Sequence, residues 1–216
     1  MINRILMAIF FVFFITNAFS GTTLVGTRFL INNENKSLNI KIMNDENSDY
    51  LIKSELSDKR FIISPPLFLL PRNSNGIITI LPTTAIDNIS DELINLTVTS
   101  IPKSDLNSGE NSISLAIRSH FKVIYRHRKI RESDYDKISL INFNKEFYLI
   151  NKSKFIFTIS VSKDKQYNNE RIVNIVPEEK VKLNDICKGN TCHIWVNFYD
   201  ESNDVIKSLD LSYSKN

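Results

Sequence analysis

The chain is 216 residues long, 42% hydrophobic, 24% charged and 10% aromatic, a composition that can bury one or two cores and excludes a disordered polypeptide. A formal net charge of +3 is too small to call for a nucleic-acid partner or an anionic membrane surface. Five glycines in all leave no phosphate-cradling loop.

Arg4 opens a short positive segment, Ile5 to Ile15 is almost unbroken apolar sequence, and Ala18 and Ser20 place small residues at the usual cleavage positions. Residues 1–20 therefore read as a secretory signal peptide, with Gly21 the first mature residue. The competing reading, an uncleaved anchor, needs roughly 20 apolar residues, and this run is shorter. No other window matches its length and apolarity, so the mature chain is expected in an exported compartment without membrane insertion.

Helical periodicity is scarce after residue 20. Short β-branched and aromatic runs recur instead, separated by Asn, Ser, Asp, Gly and Pro, and predict strands near Leu24 to Ile31, Leu38 to Met43, Tyr50 to Leu56, Phe61 to Ser64, Gly76 to Leu81, Leu93 to Ile101 and Ile113 to Tyr125. Seven strands over about a hundred residues is the count of an immunoglobulin-like sandwich. Residues 126–136 form a charged stretch with no apolar face and are expected to link two modules. Further strands are predicted over Ile138 to Phe143, Phe147 to Ile150, Phe155 to Val161, Arg171 to Val176, Val181 to Leu183, His193 to Tyr199 and Val205 to Leu211. The expected fold class is all-β, two sandwiches in tandem: residues 21–127, a hinge over 128–136, and a smaller domain over 137–216.

Cys187 and Cys192 bracket Lys-Gly-Asn-Thr. In an oxidising compartment this pair reads as a disulfide, since C-x-x-C spacing and a second ligand pair are both absent. Asn-x-Ser/Thr matches at Asn35, Asn88, Asn95 and Asn151 arise easily in an Asn-rich chain and carry no weight as glycosylation sites.

The most informative stretch is Asn111 to Arg126. In an extended strand Ile113, Leu115 and Ile117 share one face, while Ser114, Ala116, Arg118 and Lys122 share the other. Such an apolar row is either covered by its own chain or offered to another.

Catalytic arrangements are not apparent. His120, His127 and His193 stand in no H-x-x-x-H or H-E-x-x-H pattern, and no Gly-x-Ser-x-Gly occurs. The chain is expected to be no enzyme, with no cofactor and no metal. The basic run Arg126 to Lys129 is read as a solvated interdomain segment.

With the strands placed, the mature sequence resembles the periplasmic chaperones of the chaperone-usher pathway over nearly its whole length. The resemblance rests on Gly26-Thr-Arg28, Tyr50-Leu-Ile-Lys-Ser54, Ile63-Ser-Pro-Pro-Leu-Phe68, Ile101-Pro102 and, most diagnostically, Ile117-Arg-Ser-His-Phe-Lys-Val-Ile-Tyr-Arg126. It implies two immunoglobulin-like domains in an L shape, whose cleft holds the carboxy terminus of a pilus subunit. By position, Arg28 and Lys122 match the pair that grips the subunit's terminal carboxylate. Ile113, Leu115 and Ile117 match the donor motif that completes the subunit's unfinished sandwich. Arg126, Asp91 and Asp200 match an interdomain ion-pair cluster, with Glu92 able to replace Asp91. The partners implied are pilus subunits and an outer-membrane usher, the compartment is the periplasm, and the client-free chain would self-associate through its open edge.

Departures mark a divergent member: Leu69 stands where arginine is common, and Tyr125-Arg-His127 replaces Tyr-Arg-Pro. The stretch from Lys103 to Asn111 is short and lacks cysteine, as in the subclass that builds structured pili. A rival reading from another class is a secreted two-domain adhesin or surface structural subunit.

Overall fold

The computed structural model describes residues 21–32, 34–84, 86, 88–103, 114–164, 172–183, 186–187 and 189–214. Among these, regular structure is sixteen strands and one short helix, arranged around two separate hydrophobic cores.

The first core lies between two sheets. One has the order β1 (Thr22–Leu24), β3 (Leu38–Asn44), β7 (Ser74–Pro82), β5 (Phe61–Ser64). The other runs β2 (Arg28–Asn32), β9 (Ile117–Arg126), β8 (Glu92–Pro102), β4 (Tyr50–Leu56), β6 (Leu67–Leu70). Alternation along each strand turns Ile31, Ile40, Ile42, Ile52, Ile78, Ile80, Leu96 and Val123 inward, and each is essentially inaccessible. The outward face of the second sheet carries Arg28, Lys122 and Arg126.

Two features of this half differ from the sequence-based expectation. The single strand predicted over Leu24 to Ile31 is two, because the chain changes sheets between β1 and β2. Gly26 makes that crossing at φ +110, and a Cβ there would lie 2.9 Å from the Phe29 ring. β6 was not predicted, since Pro65-Pro66 interrupts the apolar run. The prolines lie between β5 and β6, where no N–H is required of them, the Pro66 carbonyl accepts from the Ser54 N–H of β4 at 2.8 Å, and β6 then joins the sheet as an edge strand beside β4.

The second core is enclosed by the three-stranded order β10 (Ile138–Phe143), β11 (Glu146–Asn151), β14 (Lys180–Lys182) and the four-stranded order β13 (Val173–Ile175), β12 (Phe157–Ser162), β15 (Thr191–Tyr199), β16 (Val205–Ser214). Phe157, Phe198 and Tyr135 stack edge and face at centroid separations of 4.9–5.3 Å. Cys187 and Cys192 are joined across a Cα separation of 5.3 Å and are buried in this core.

Residues 128–136 are not a bare charged linker. They contain helix α1 (Glu132–Tyr135), and both Ile130 and Tyr135 pack into the second core. The buried Asp134 carboxylate accepts from both Arg128 Nη atoms at 2.9 Å and from the Arg131 backbone N–H at 2.9 Å. The apolar side chains are only two in nine positions, too few for a periodic face.

Each half closes one turn with a buried asparagine at a strand end. Asn44 Nδ2 donates to the carbonyls of Ser48 and Pro71 at 2.8 and 2.9 Å, and Asn151 Nδ2 donates to those of Phe155 and Ile175 at 2.7 and 3.1 Å. Asn151 is fully buried, which closes it to the glycosylation its tripeptide would permit.

Candidate functional site

The second sheet of the first sandwich presents its polar face to the other half of the molecule. β2 lies parallel to β9, and the register pairs Arg28 with Lys122, Leu30 with Ile124 and Asn32 with Arg126. On the far side of β9, Lys122 is level with Asn95 of β8. Arg28, Lys122 and Asn95 thus form one lateral row across three strands, on the face opposite the core residues Phe29, Val123 and Ile94.

The two cations of this row turn apart at their charged ends. Lys122 Nζ donates to Asn95 Oδ1 at 2.5 Å. Arg28 Nη2 donates to Asn203 Oδ1, which lies on the turn between β15 and β16. Arg28 Nε is buried with no hydrogen-bond partner among the described residues. Burial lowers the Arg28 pKa from its usual value, and the carboxylates of Glu201 and Asp200 oppose that shift. Arg28 lines a cleft of about 650 Å³ between the two sandwiches, with Leu30, Ile124, Tyr199, Glu201 and Ile206 among its walls. Lys122 stands beside the cleft, in the same row.

Toward its start β9 runs out past its own core. Ile117 shares the parity of Phe121, Val123 and Tyr125, but it is 51% exposed, and Leu115 just before the strand is 72% exposed. Ile113 lies outside the described residues, as do residues 104–110 of the preceding loop. β2 covers β9 only from Lys122 to Arg126, so Ile117 to Phe121 have a strand partner on the β8 side alone among the described residues. An apolar row therefore lies along an unpaired main-chain edge.

The junction of the halves centres on Asp91, whose side chain is 0% exposed. Its Oδ2 accepts from Arg126 Nε at 3.1 Å and from the Ile156 backbone N–H at 3.1 Å. Its Oδ1 meets the His127 backbone N–H at 3.1 Å and His127 Nδ1 at 2.9 Å. The Asp91 backbone N–H adds a bond to the Lys154 carbonyl at 2.8 Å. Asp200, expected in this cluster, makes no ion pair with Arg126. Its Oδ1 accepts from the Ser202 and Asp204 N–H groups at 2.8 and 2.9 Å, so its carboxylate is committed to closing its own turn. Glu92 does not replace Asp91 either, because it pairs with Arg60.

His127 and Asn203 are the contacts that sequence reasoning missed. The histidine stands where the expected pattern has proline, which could have flagged it. Asn203 sits in a turn with no motif of its own, and only the approach of the two halves gives it a partner.

Residues 21–131 match the family described as pili and flagellar-assembly chaperone, PapD N-terminal domain, over just more than half of the chain. The chain belongs to the pili and flagellar-assembly chaperone family. Among its relatives are the chaperone protein FocC of Escherichia coli, 28% identical over 194 residues that cover 82% of this chain and 84% of that protein. The chaperone protein FimC of Escherichia coli K12 is 28% identical over 194 residues, covering 83% and 80%. In fold, the chain is similar to the periplasmic chaperone SfaE at a TM-score of 0.66 and 22% identity, covering 88% of this chain and 99% of that one. It is also similar to a structure of the Salmonella enterica SafA pilin with the SafB chaperone at a TM-score of 0.69 and 17% identity, covering 93% and 98%. Membership in this chaperone family decides for a role in fimbrial assembly against the adhesin reading, and against catalysis.

Proposed function

We propose that this family member captures pilus subunits in the periplasm by lending them the start of β9, and passes them to an outer-membrane usher. The observation that carries the reading is exposed Ile117 on an open strand edge, with exposed Leu115 just before the strand, five and seven residues before Lys122. A subunit lacking the last strand of its sandwich would gain main-chain hydrogen bonds from the free edge and fill its groove with these side chains. By sequence alone, Ile113 has the parity to join them. Burying three such side chains is worth on the order of 5 to 9 kcal/mol before association costs.

Arg28 and Lys122 would set where the subunit chain ends. The free Arg28 Nε–H lines up with Nη to receive both oxygens of a carboxylate, and a second cation on the adjacent strand shares the charge. Each cation at about 4 Å contributes roughly 4 kcal/mol at an effective dielectric near 20, before desolvation. Arg126 and Asp91 would hold the domain angle that opens the cleft. Residues 21–127 would form the client-holding module, joined through 128–136 to a supporting module over 137–216. The short loop after Lys103 supports placement in the subclass serving structured pili.

The test is periplasmic co-purification with a pilus subunit from the same fimbrial system, comparing the wild type with Leu115→Asp and Ile117→Asp. Both side chains lie outside the core, so the variants should fold and lose the subunit. Undiminished complex would remove the donor role.

A further inference from the structure

The turn between β15 and β16 reaches back across the cleft and occupies the residue proposed to bind the client's terminus. Asn203 Oδ1 accepts from Arg28 Nη2, and the Asp200 and Glu201 carboxylates act on the same guanidinium. The turn is built to hold this pose. Asp200 Oδ1 bonds the backbone of Ser202 and Asp204, the Asp200 N–H donates to the Asp204 carbonyl at 3.0 Å, and Asn203 adopts φ +69, where asparagine is tolerated better than most residues. An amide oxygen on an arginine imitates one oxygen of a carboxylate, but it bears no charge and makes the weaker bond. It leaves Nε, the other half of the guanidinium fork, without a partner among the described residues.

We propose that Asn203 is an internal placeholder for the client's terminal carboxylate, keeping Arg28 engaged until a charged chain end displaces it. This rests on the reading of Arg28 as the client anchor. The placeholder sets a threshold for reaching Arg28, which only a ligand that engages the guanidinium must overcome. A free carboxylate takes both Nε and Nη and wins, whereas a neutral or internal chain segment gains too little over the amide to open the contact. The acidic turn also raises the threshold, because Glu201 repels an arriving carboxylate until the turn swings away. A latch closed nine-tenths of the time weakens apparent affinity about tenfold.

The experiment uses the full mature chain and a labelled ten-residue peptide of alternating valine and serine, made with a free carboxyl end and as its amide, with fluorescence anisotropy as the readout. Asn203→Gly removes the amide and suits the positive φ. It should tighten binding of the acid peptide about tenfold and leave the amide within twofold. Glu201→Gln, at a side chain outside the turn's own hydrogen bonds, should tighten the acid peptide by a smaller factor. A turn with a merely structural role would move acid and amide together, and an unchanged acid-to-amide ratio in Asn203→Gly overturns the placeholder while leaving the anchor intact. Arg28→Ala should erase the ratio altogether. A wild type with no preference for the acid overturns the anchor and the placeholder at once.

Discussion

Arg28 and Lys122 are register partners on the parallel strands β2 and β9, yet each is held by a different asparagine, Asn203 on the second domain and Asn95 on β8. The backbone has brought the two cations together while their charges remain committed to neutral, exchangeable partners. On the proposed reading, the client's terminal carboxylate would replace both asparagines.

Arg28→Ala and Lys122→Ala are therefore each expected to abolish co-purification with a pilus subunit while leaving thermal stability close to wild type, since neither side chain belongs to the core. Arg28→Lys should recover only part of the capture, because an ammonium cannot make the planar two-point contact. Retained complex in both alanine variants would refute the anchor.

Asp91 gathers its two side-chain donors from the end of β9 and a backbone donor from the second half. Asp91→Ala leaves Arg126 Nε and the Ile156 N–H without their acceptor, although Arg126 Nη2 keeps the Ile156 carbonyl, and should cost about 3–5 kcal/mol. The two cores should then melt separately in differential scanning calorimetry. A single transition at the wild-type temperature would contradict the role assigned to this residue.

Asp134 gives the junction an acid-sensitive component. The guanidinium of Arg128, despite the cost of burial and helped by the Arg131 N–H and Lys137, holds its carboxyl well below the usual carboxylate range. A depressed folded-state pKa means that the folded chain binds fewer protons than the unfolded one. Its contribution is thus fully present above about pH 4, the unfolded value, and declines as pH falls toward the folded one. Asp134→Asn should lose on the order of 2 kcal/mol at pH 7, and urea titrations should show that deficit shrinking at pH 3. A deficit independent of pH would exclude the ion pair as its source.

The link between Cys187 and Cys192 spans five residues in sequence. A loop this small is worth about 2 kcal/mol by chain entropy. Cys187→Ser with Cys192→Ser should lower the urea midpoint accordingly without altering subunit capture, because both positions lie in the second core, away from β9. Loss of capture at equal stability would tie this loop to the client.

Much of the molecule was legible before folding. Period-two alternation placed most strands, because a half-buried strand must separate apolar from polar residues at every step. The row of Ile113, Leu115 and Ile117 stood out for the same reason, as did the phase that puts Lys122 on the opposite face. The apolar contacts within 128–136 carry no such signal, because Ile130 and Tyr135 pack through a single helical turn too short to establish a period. β6 was missed because prolines usually end strands and only sometimes border edge ones.

What the sequence by itself determined was the class of fold, the two-part organisation and the local composition of β9, since these follow from patterns within one strand or one turn. The resemblance had already named Arg28 and Lys122 as a pair, but the tertiary structure alone decided how residues meet across distance: the parallel pairing that sets Arg28 beside Lys122, His127 on Asp91 while Asp200 closes its own turn, and Asn203 on Arg28. Each of these contacts joins positions whose separation along the chain carries no periodic signal. They depend on how two sandwiches dock, and docking is set by the summed shape and charge of whole faces.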